Sequence, residues 1–205
     1  LYLALNRSLN LAMVNLGVTL GLEEVQKQFE LLTGRKPRNQ FPSFLLGAEP
    51  MSPIEVSELY SNFASGGFNL KPKTVIGVLD SAGAPLSHHS IVLKQTINPV
   101  ISNTLNRSLE LTMRRGTGRL SSFSNSGVAG KTGTTNDNRD SWFAGFDDNK
   151  LAVFWVGRDD NKSTGLSGAS GALKLWDASL RRIGSSPLNI PCLLYTSPSP
   201  RDSDT

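Results

Sequence analysis

The sequence predicts a mixed fold of the broad α/β class, with an α+β layout in which helices flank an antiparallel sheet. Helical spacing of apolar residues and helix-capping signals dominate the first part of the chain. Strand-like segments then follow one another between residues 128 and 157, and an amphipathic segment over 172–183 comes last. Because helices and strands occur in separate runs, α+β is favoured over an alternating parallel arrangement. The 205 residues are enough for one domain.

The first helices are predicted from apolar periodicity and from glycine stops. Residues 1–20 carry apolar side chains at helical spacing, and Gly21 interrupts the pattern. A second helix is predicted over 22–32, with Gly34 placed to end it.

A third helix is predicted to begin at Ser52. Ser52 can cap the helix, Pro53 suits its first position, and Glu55 can bind back to the backbone of the cap residue. We expect this helix to end at Gly66–Gly67, and we expect a small hairpin to follow, with strands over 74–79 and 91–93.

The second half is predicted as one long helix, a sheet and a covering helix. The long helix spans 98–113 and ends before Gly116-Thr-Gly118. Strands are predicted over 128–135, 141–146 and 151–157, and the turn Asp147–Asn149 makes the last two an antiparallel pair. The amphipathic helix over 172–183 then covers the sheet.

Composition excludes several functional classes. The formal net charge is +4 and the pI is about 9.4, but the basic residues are scattered, so we expect no nucleic-acid surface. No apolar run is long enough to cross a bilayer. His88-His89 has no cysteine or carboxylate partners at ligand spacing, so a metal site is not expected.

Both ends of the chain are interpreted as not being those of a natural protein. Residues 192–202 read Cys-Leu-Leu-Tyr-Thr-Ser-Pro-Ser-Pro-Arg-Asp, which matches a translated sequencing-library adapter, so 192–205 are left out of the fold prediction. Cys192, the only cysteine, therefore indicates nothing about redox chemistry. At the other end, Leu1 lies inside a predicted helix, which suggests a chain cut at its start.

Two polar motifs carry the chemistry. Gly127-Val-Ala-Gly-Lys-Thr-Gly-Thr-Thr135 places a lysine and hydroxyl groups on a glycine-rich segment, which suits a carboxylate and a developing oxyanion. Far upstream, Ser8-Leu-Asn10 offers a hydroxyl and an amide. We predict that the two motifs line opposite walls of one groove.

With these motifs and their order, the chain resembles the transpeptidase domain of class A penicillin-binding proteins. That family uses Ser-x-x-Lys, Ser-x-Asn and Lys-Thr-Gly motifs, of which Ser8-Leu-Asn10 and Lys131-Thr-Gly133 match the second and third. Gly116-Thr-Gly118 resembles a family loop beside the cleft, and we assign it no catalytic role. The Ser-x-x-Lys motif does not occur in this chain. The resemblance implies a β-lactamase/transpeptidase-like fold present only in part, with residues 1–187 as its C-terminal portion and 188–205 as linker end and tail.

The resemblance also implies roles for individual residues. Ser8 would relay a proton to the leaving amine, Asn10 would donate to the substrate's amide carbonyl, and Lys131 would complete this catalytic set. Thr132, Gly133 and Thr134 would bind the substrate, whose terminal carboxylate would meet Lys131 and the two hydroxyls. The Thr134 N–H would be one oxyanion donor, and the other would belong to a serine nucleophile absent from this chain.

The activity implied by the resemblance is cross-linking of peptidoglycan stem peptides by a bifunctional synthase, through a serine acyl-enzyme. The substrates would be stem peptides on lipid II-derived glycan strands, and β-lactams would inhibit. The resemblance implies no metal and no organic cofactor. The parent protein would be anchored in the bacterial inner membrane with this domain in the periplasm. The chain alone is expected to be inactive.

Two rival interpretations remain open at this point. Gly127–Thr132 is similar to a phosphate-binding loop, but Asn125 stands where that motif needs its first glycine, and the following sequence is strand-like. A serine β-lactamase or β-lactam sensor would share the fold. A β-lactamase of class A needs a deacylating glutamate, for which Glu49 and Glu55 lack the expected context. Asp137 and Asp140 are predicted to have structural roles in a turn.

Overall fold

The computed structural model of the chain describes residues 1–75, 77–88 and 93–190. Within these ranges the helices are α1 (Tyr2–Arg7), α2 (Asn10–Leu20), α3 (Leu22–Thr33), α4 (Pro53–Ala64), α5 (Pro99–Arg115) and α6 (Ala172–Ile183). The strands are β1 (Phe68–Asn69), β2 (Gly77–Leu79), β3 (Pro85–His88), β4 (Lys94–Gln95), β5 (Ala129–Thr134), β6 (Ser141–Phe146) and β7 (Leu151–Val156). Short 3-10 turns at Pro42–Leu46 and Asn136–Asn138 were not predicted.

The single helix predicted over residues 1–20 is wrong, because the chain breaks at Ser8. Ser8 has φ 54° and ψ 49°, a left-handed conformation that ends α1. The N–H of Leu9 donates to the carbonyl of Ala4 at 2.9 Å, which closes the last turn of α1 before α2 starts at Asn10. Apolar periodicity continues through this break and so gave no sign of it.

The capping prediction for α4 is confirmed. The Ser52 hydroxyl accepts from the Glu55 N–H at 3.3 Å, and the Glu55 carboxylate accepts from the Ser52 N–H at 2.7 Å. These reciprocal bonds satisfy two backbone donors that the helix itself leaves free. The helix ends just before Gly66–Gly67, as expected.

The predicted small hairpin forms. β2 pairs with β3, which begins at Pro85, directly after the turn at Asp80–Gly83. The Asp80 side chain accepts from the backbone N–H groups of Ala82 and Ala84, which tightens the turn. The strand predicted over 91–93 falls mostly on residues 91 and 92, which lie outside the described residues, as does His89. A further pair, β1 with β4, was not predicted.

The main sheet has the order β5-β6-β7 and is antiparallel throughout, as predicted. Lys131 of β5 pairs with Ala144 of β6, and Trp142 of β6 pairs with Trp155 of β7. Among the described residues only β6 pairs with β5, so β5 is an edge strand. Its outer edge is therefore free to meet a ligand or the helices at its side.

Two apolar clusters lie on the two faces of this sheet. On one face α6 contributes Leu173, Trp176 and Leu180, which pack with Phe143. On the other face α4 and α5 cover the sheet through a second cluster (Leu109, Ala129 and Phe146, with Tyr60 and Phe63 against it). The sheet is thus held between helices, which fixes the position of β5.

The segment after α6 packs back onto the sheet. The Asp147 carboxylate accepts from the N–H groups of Asn149, Lys150 and Ser186, which fastens this segment to the β6–β7 turn. Leu188 donates to the carbonyl of Gly127 at 2.8 Å. Packing therefore continues beyond residue 187, and the predicted tail over 192–205 lies outside the described residues. No described helix combines the length and the apolar character needed to cross a membrane.

Candidate active site

Ser8 and Lys131 meet in the fold although 123 positions separate them. The ammonium nitrogen of Lys131 donates to the Ser8 hydroxyl oxygen at 2.9 Å. The structure thus brings together one residue from each of the two polar motifs. Asn10, two residues after Ser8, is the first residue of α2 and is exposed.

Ser8 is held in place by the end of α1. Its left-handed conformation costs free energy for a non-glycine residue, of order 1–3 kcal/mol. The conformation persists because the N–H groups of Ser8 and Leu9 both bond back into α1. The turn directs the Ser8 hydroxyl toward β5.

Lys131 is held in place by β5. Besides Ser8, its nitrogen donates to the carbonyl of Thr132 at 2.9 Å. The side chain is partly buried, and burial lowers the pKa of Lys131 from 10.5 to about 8. Removing water from around an ammonium group favours its neutral form.

We expect the Lys131 amine to titrate near pH 8 when followed by NMR of the chain labelled at the lysine side chains. In the unfolded chain the same amine keeps its ordinary pKa of 10.5, so between these values the unfolded state binds more protons. The contribution of Lys131 to the free energy of unfolding should therefore rise with pH from about 8 to 10.5, and fall as the pH drops through 8. A Lys131 resonance that titrates near the ordinary lysine pKa of 10.5 would contradict the expectation.

The free edge of β5 carries backbone groups of Thr132 and Thr134. The N–H of Thr135 donates to the carbonyl of Asp140, so these two residues form a hydrogen-bonded pair across β5 and β6. Hydrogen-bonded and non-bonded pairs alternate along an antiparallel ladder. Thr134 and Thr132 are consequently non-bonded positions, whose N–H and C=O groups point away from β6.

The two threonine hydroxyls on β5 have different partners. Thr132 is buried, and its hydroxyl donates to the Thr117 hydroxyl oxygen at 2.6 Å. The Thr134 hydroxyl accepts from the Gly168 N–H at 2.9 Å and so keeps its own proton available for a ligand.

Close backbone packing surrounds Gly133. A Cβ atom on Gly168 would lie 2.6 Å from the Gly133 carbonyl oxygen, so only glycine allows this approach. At Gly133 itself, a Cβ would lie 3.1 Å from the Cβ of Trp142, its partner on β6. The strand is thereby confined at the point where the resemblance places substrate.

The sequence analysis placed the loop Gly116-Thr-Gly118 beside the cleft by resemblance but did not single out Thr117, and it missed Gly168 as a neighbour of the site. The glycines on both sides of Thr117 were the available signal for a close backbone approach. Nothing in the sequence around Gly168 distinguished it from other loop glycines.

The two aspartates considered in the sequence analysis, Asp137 and Asp140, lie in the turn between β5 and β6. Asp140 accepts from the Thr135 hydroxyl at 3.1 Å and from the Trp155 indole N–H at 2.9 Å, consistent with a structural role in the turn. Asp137 is exposed and has φ 60°.

Glu49 and Glu55 both form ion pairs with Arg35, at 2.7 Å and 3.2 Å. Burial opposes ionisation of Glu49, but hydrogen bonds from Asn39, Arg35 and Arg38 outweigh it and hold its pKa below the usual value. A carboxylate engaged in this way is poorly suited to act as a deacylating base.

The rival phosphate-loop interpretation is not supported by the fold. Lys131-Thr-Gly133 lies within β5, which is followed by a short turn and β6 instead of a helix. A phosphate loop needs the helix, whose N-terminus binds the anion. In the described ranges, no group of three or more His, Cys, Asp or Glu side chains could hold a metal ion.

Comparison with known proteins identifies the family. A family model described as penicillin binding protein transpeptidase domain matches residues 2–174. The chain belongs to this transpeptidase family.

Among curated relatives, penicillin-binding protein 1B of Vibrio cholerae is 38% identical over 179 residues, covering 86% of this chain and 23% of the relative. Penicillin-binding protein 1B of Escherichia coli is 37% identical over 191 residues, covering 91% of this chain and 22% of the relative. The chain thus spans under a quarter of the length of these two relatives.

Solved structures confirm the fold. Penicillin-binding protein 1A from Haemophilus influenzae superposes with a TM-score of 0.82 at 23% identity, over 94% of this chain and 36% of that one. PonA1 from Mycobacterium tuberculosis, solved in complex with penicillin V, gives 0.74 at 20% identity, over 93% and 58%. The fold is therefore that of penicillin-binding transpeptidase domains, as the resemblance implied.

Proposed function

We propose that this chain is the C-terminal part of a peptidoglycan D,D-transpeptidase domain that acts through a serine acyl-enzyme. A serine upstream of the chain attacks the D-Ala–D-Ala amide of one stem peptide, and D-alanine leaves. An amine of a neighbouring stem peptide then takes the acyl group. Covalent catalysis divides one difficult amide exchange into two easier steps.

The observation that carries the proposal is the 2.9 Å contact between Lys131 and Ser8. An ammonium group has only donors, so the Ser8 oxygen accepts from it and the Ser8 proton stays available. That proton can pass to the leaving amine of D-alanine, while Ser8 takes up the proton that the lysine of the upstream Ser-x-x-Lys motif has removed from the attacking serine. The lowered pKa of Lys131, about 8, brings the amine near the range useful for proton transfer at neutral pH. Asn10, at the start of α2, is proposed to donate to the substrate's amide carbonyl.

The free edge of β5 supports a carboxylate and oxyanion site. Lys131 supplies a positive charge, Thr134 has a free hydroxyl proton, and Thr132 lies between them. The outward Thr134 N–H is proposed as one oxyanion donor. Gly133 has no side chain, so a substrate backbone can lie close alongside the strand.

Exposed apolar surface on α1 and α2 supports the proposal that an upstream part of the domain packs against these helices. Leu11 is 87% exposed and Val18 is 66% exposed, although α2 is apolar on all sides. A helix of that kind is normally buried. We propose that the segment containing Ser-x-x-Lys packs here and places its serine beside Ser8.

By similarity to its relatives, the whole protein is proposed to be anchored in the bacterial inner membrane with this domain in the periplasm. Its partners would be stem peptides on lipid II-derived glycan strands, and β-lactams would acylate the same serine. Residues 1–187 are proposed as the domain portion, to which the observed packing adds the residues up to Ile190.

Labelling with fluorescent penicillin tests the proposal. We expect a long-lived covalent adduct on the full-length protein that contains this sequence, and none on the 205-residue chain, because the chain contains no Ser-x-x-Lys motif. A label on the chain alone would contradict the absence of the nucleophile. No label on the full-length protein would exclude the transpeptidase, whereas rapid release of hydrolysed penicillin would indicate a β-lactamase.

A further inference from the structure

The loop Gly116-Thr-Gly118 contacts the wall of the site that carries Ser8. A Cβ atom on Gly116 would lie 2.3 Å from the carbonyl oxygen of Asn6, so this position needs glycine. The Thr117 N–H donates to the same carbonyl at 3.1 Å. Asn6 precedes Ser8 by two residues and is buried, and its side chain accepts from the Thr112 hydroxyl at 2.8 Å.

The same loop contacts the opposite wall through the Thr117 side chain. Its hydroxyl oxygen lies 2.6 Å from the hydroxyl oxygen of Thr132, the residue after Lys131. Thr117 thus binds one wall with its backbone and the other with its side chain. The loop therefore links the two motifs through these contacts.

The loop does not need the Thr117 hydroxyl to hold its own shape. The N–H groups of Gly116 and Gly118 both donate to the carbonyl of Thr112, at 3.0 Å and 3.1 Å. Ser121 then donates to the carbonyl of Gly118 at 3.0 Å. Since backbone hydrogen bonds fix the loop, the bond between the hydroxyls of Thr117 and Thr132 is not needed for its shape. That bond can instead orient a side chain of the site.

We propose that Thr117 is a positioning residue that orients the Thr132 hydroxyl toward the substrate's terminal carboxylate. The inference rests on the proposed transpeptidase function. In the structure Thr132 donates to Thr117. A carboxylate can only accept, so its arrival turns the Thr132 proton outward, and Thr117 then donates its own proton to the Thr132 oxygen. A donor chain of this kind strengthens the outer hydrogen bond.

Acylation of the full-length protein by benzylpenicillin and by its methyl ester tests this inference, with intact-mass spectrometry as the readout. Thr117→Val keeps the side-chain shape and removes the hydroxyl. We expect it to slow acylation by the free acid by about 3- to 10-fold, the effect of one hydrogen bond. The rate of acylation by the methyl ester should be the same as in the unmodified protein, because the ester has no carboxylate. Thr117→Ser should restore the rate with the free acid.

Thr104→Val is the matched control, because the Thr104 hydroxyl is exposed and bonds only within α5 in the described structure. Thr117→Ala replaces the valine variant if valine lowers the melting temperature. Equal slowing with acid and ester, or no slowing with either, would overturn the positioning role while leaving the transpeptidase proposal intact. Failure of the unmodified protein to acylate at all would reject both.

Discussion

Replacing Lys131 by methionine in the full-length protein is expected to slow acylation by penicillin about 10²- to 10³-fold, the loss typical of one preorganised donor. Methionine is unbranched and of similar length, so the space is filled while the charge is lost. Three contacts disappear: the one to the Ser8 hydroxyl, the one to the Thr132 carbonyl and the proposed one to the substrate's carboxylate. The second-order acylation rate constant, followed by fluorescent penicillin, measures the effect.

Stability and pH profile distinguish this effect from misfolding. Because burial disfavours the Lys131 ammonium group, the methionine variant should be at least as stable as the original at pH 7. The step near pH 8 in the acylation profile should also disappear. Lys174→Met, on the exposed side of α6, is the control and should acylate normally. If the variant acylates within about threefold of the original rate and keeps the same pH dependence, the proposed role of Lys131 is rejected.

Lys131→Arg separates charge from proton transfer within the same experiment. Arginine keeps a cation but does not lose its proton in proteins. If Lys131 acts only as a cation, arginine should recover part of the lost rate. If a neutral amine takes part, arginine should be as slow as methionine.

Trp176→Ala is expected to lower the free energy of unfolding of the chain by about 3–5 kcal/mol, as large-to-small changes at buried aromatic positions do. The Trp176 side chain is 1% exposed. Its ring packs edge-on against Phe143 at 5.1 Å and against Phe123 at 6.1 Å. Alanine would leave a cavity between α6 and the sheet. Urea unfolding followed by circular dichroism measures the loss.

Two further variants check the reason for this loss. Leu175→Ala changes the neighbouring, exposed position and should alter stability by less than about 0.5 kcal/mol. Trp176→Phe should cost less than Trp176→Ala, because the Trp176 indole N–H is buried without a partner among the described residues, and phenylalanine removes that group. A loss below about 1 kcal/mol for Trp176→Ala would show that α6 does not depend on this contact.

The sequence correctly predicted the elements that depend on short-range signals, such as helix caps and strand alternation. The capping residues Ser52 and Glu55 form the predicted bonds, and the strands from Ala129 to Val156 pair as expected. Caps, tight turns and alternation of side chains depend on a few neighbouring residues. The layout of helices and sheet could therefore be derived before any coordinates.

One error arose where a local signal was misleading. Apolar residues continue through Ser8, so periodicity predicted a helix where the backbone turns left-handed. The sequence analysis also did not predict that strand pairing begins at Pro85, directly after the turn at Asp80–Gly83. In a hairpin the geometry of the turn fixes the register.

The sequence by itself determined the family resemblance, the general layout of helices around an antiparallel sheet, and the two motifs that carry the chemistry. Only the tertiary structure decided that Ser8 and Lys131 touch, that burial lowers the pKa of Lys131, and that Thr117 joins the two walls. Contacts across more than a hundred positions depend on how α1, α5 and β5 pack together. A pKa likewise depends on how much water that packing removes, which no local stretch of sequence encodes.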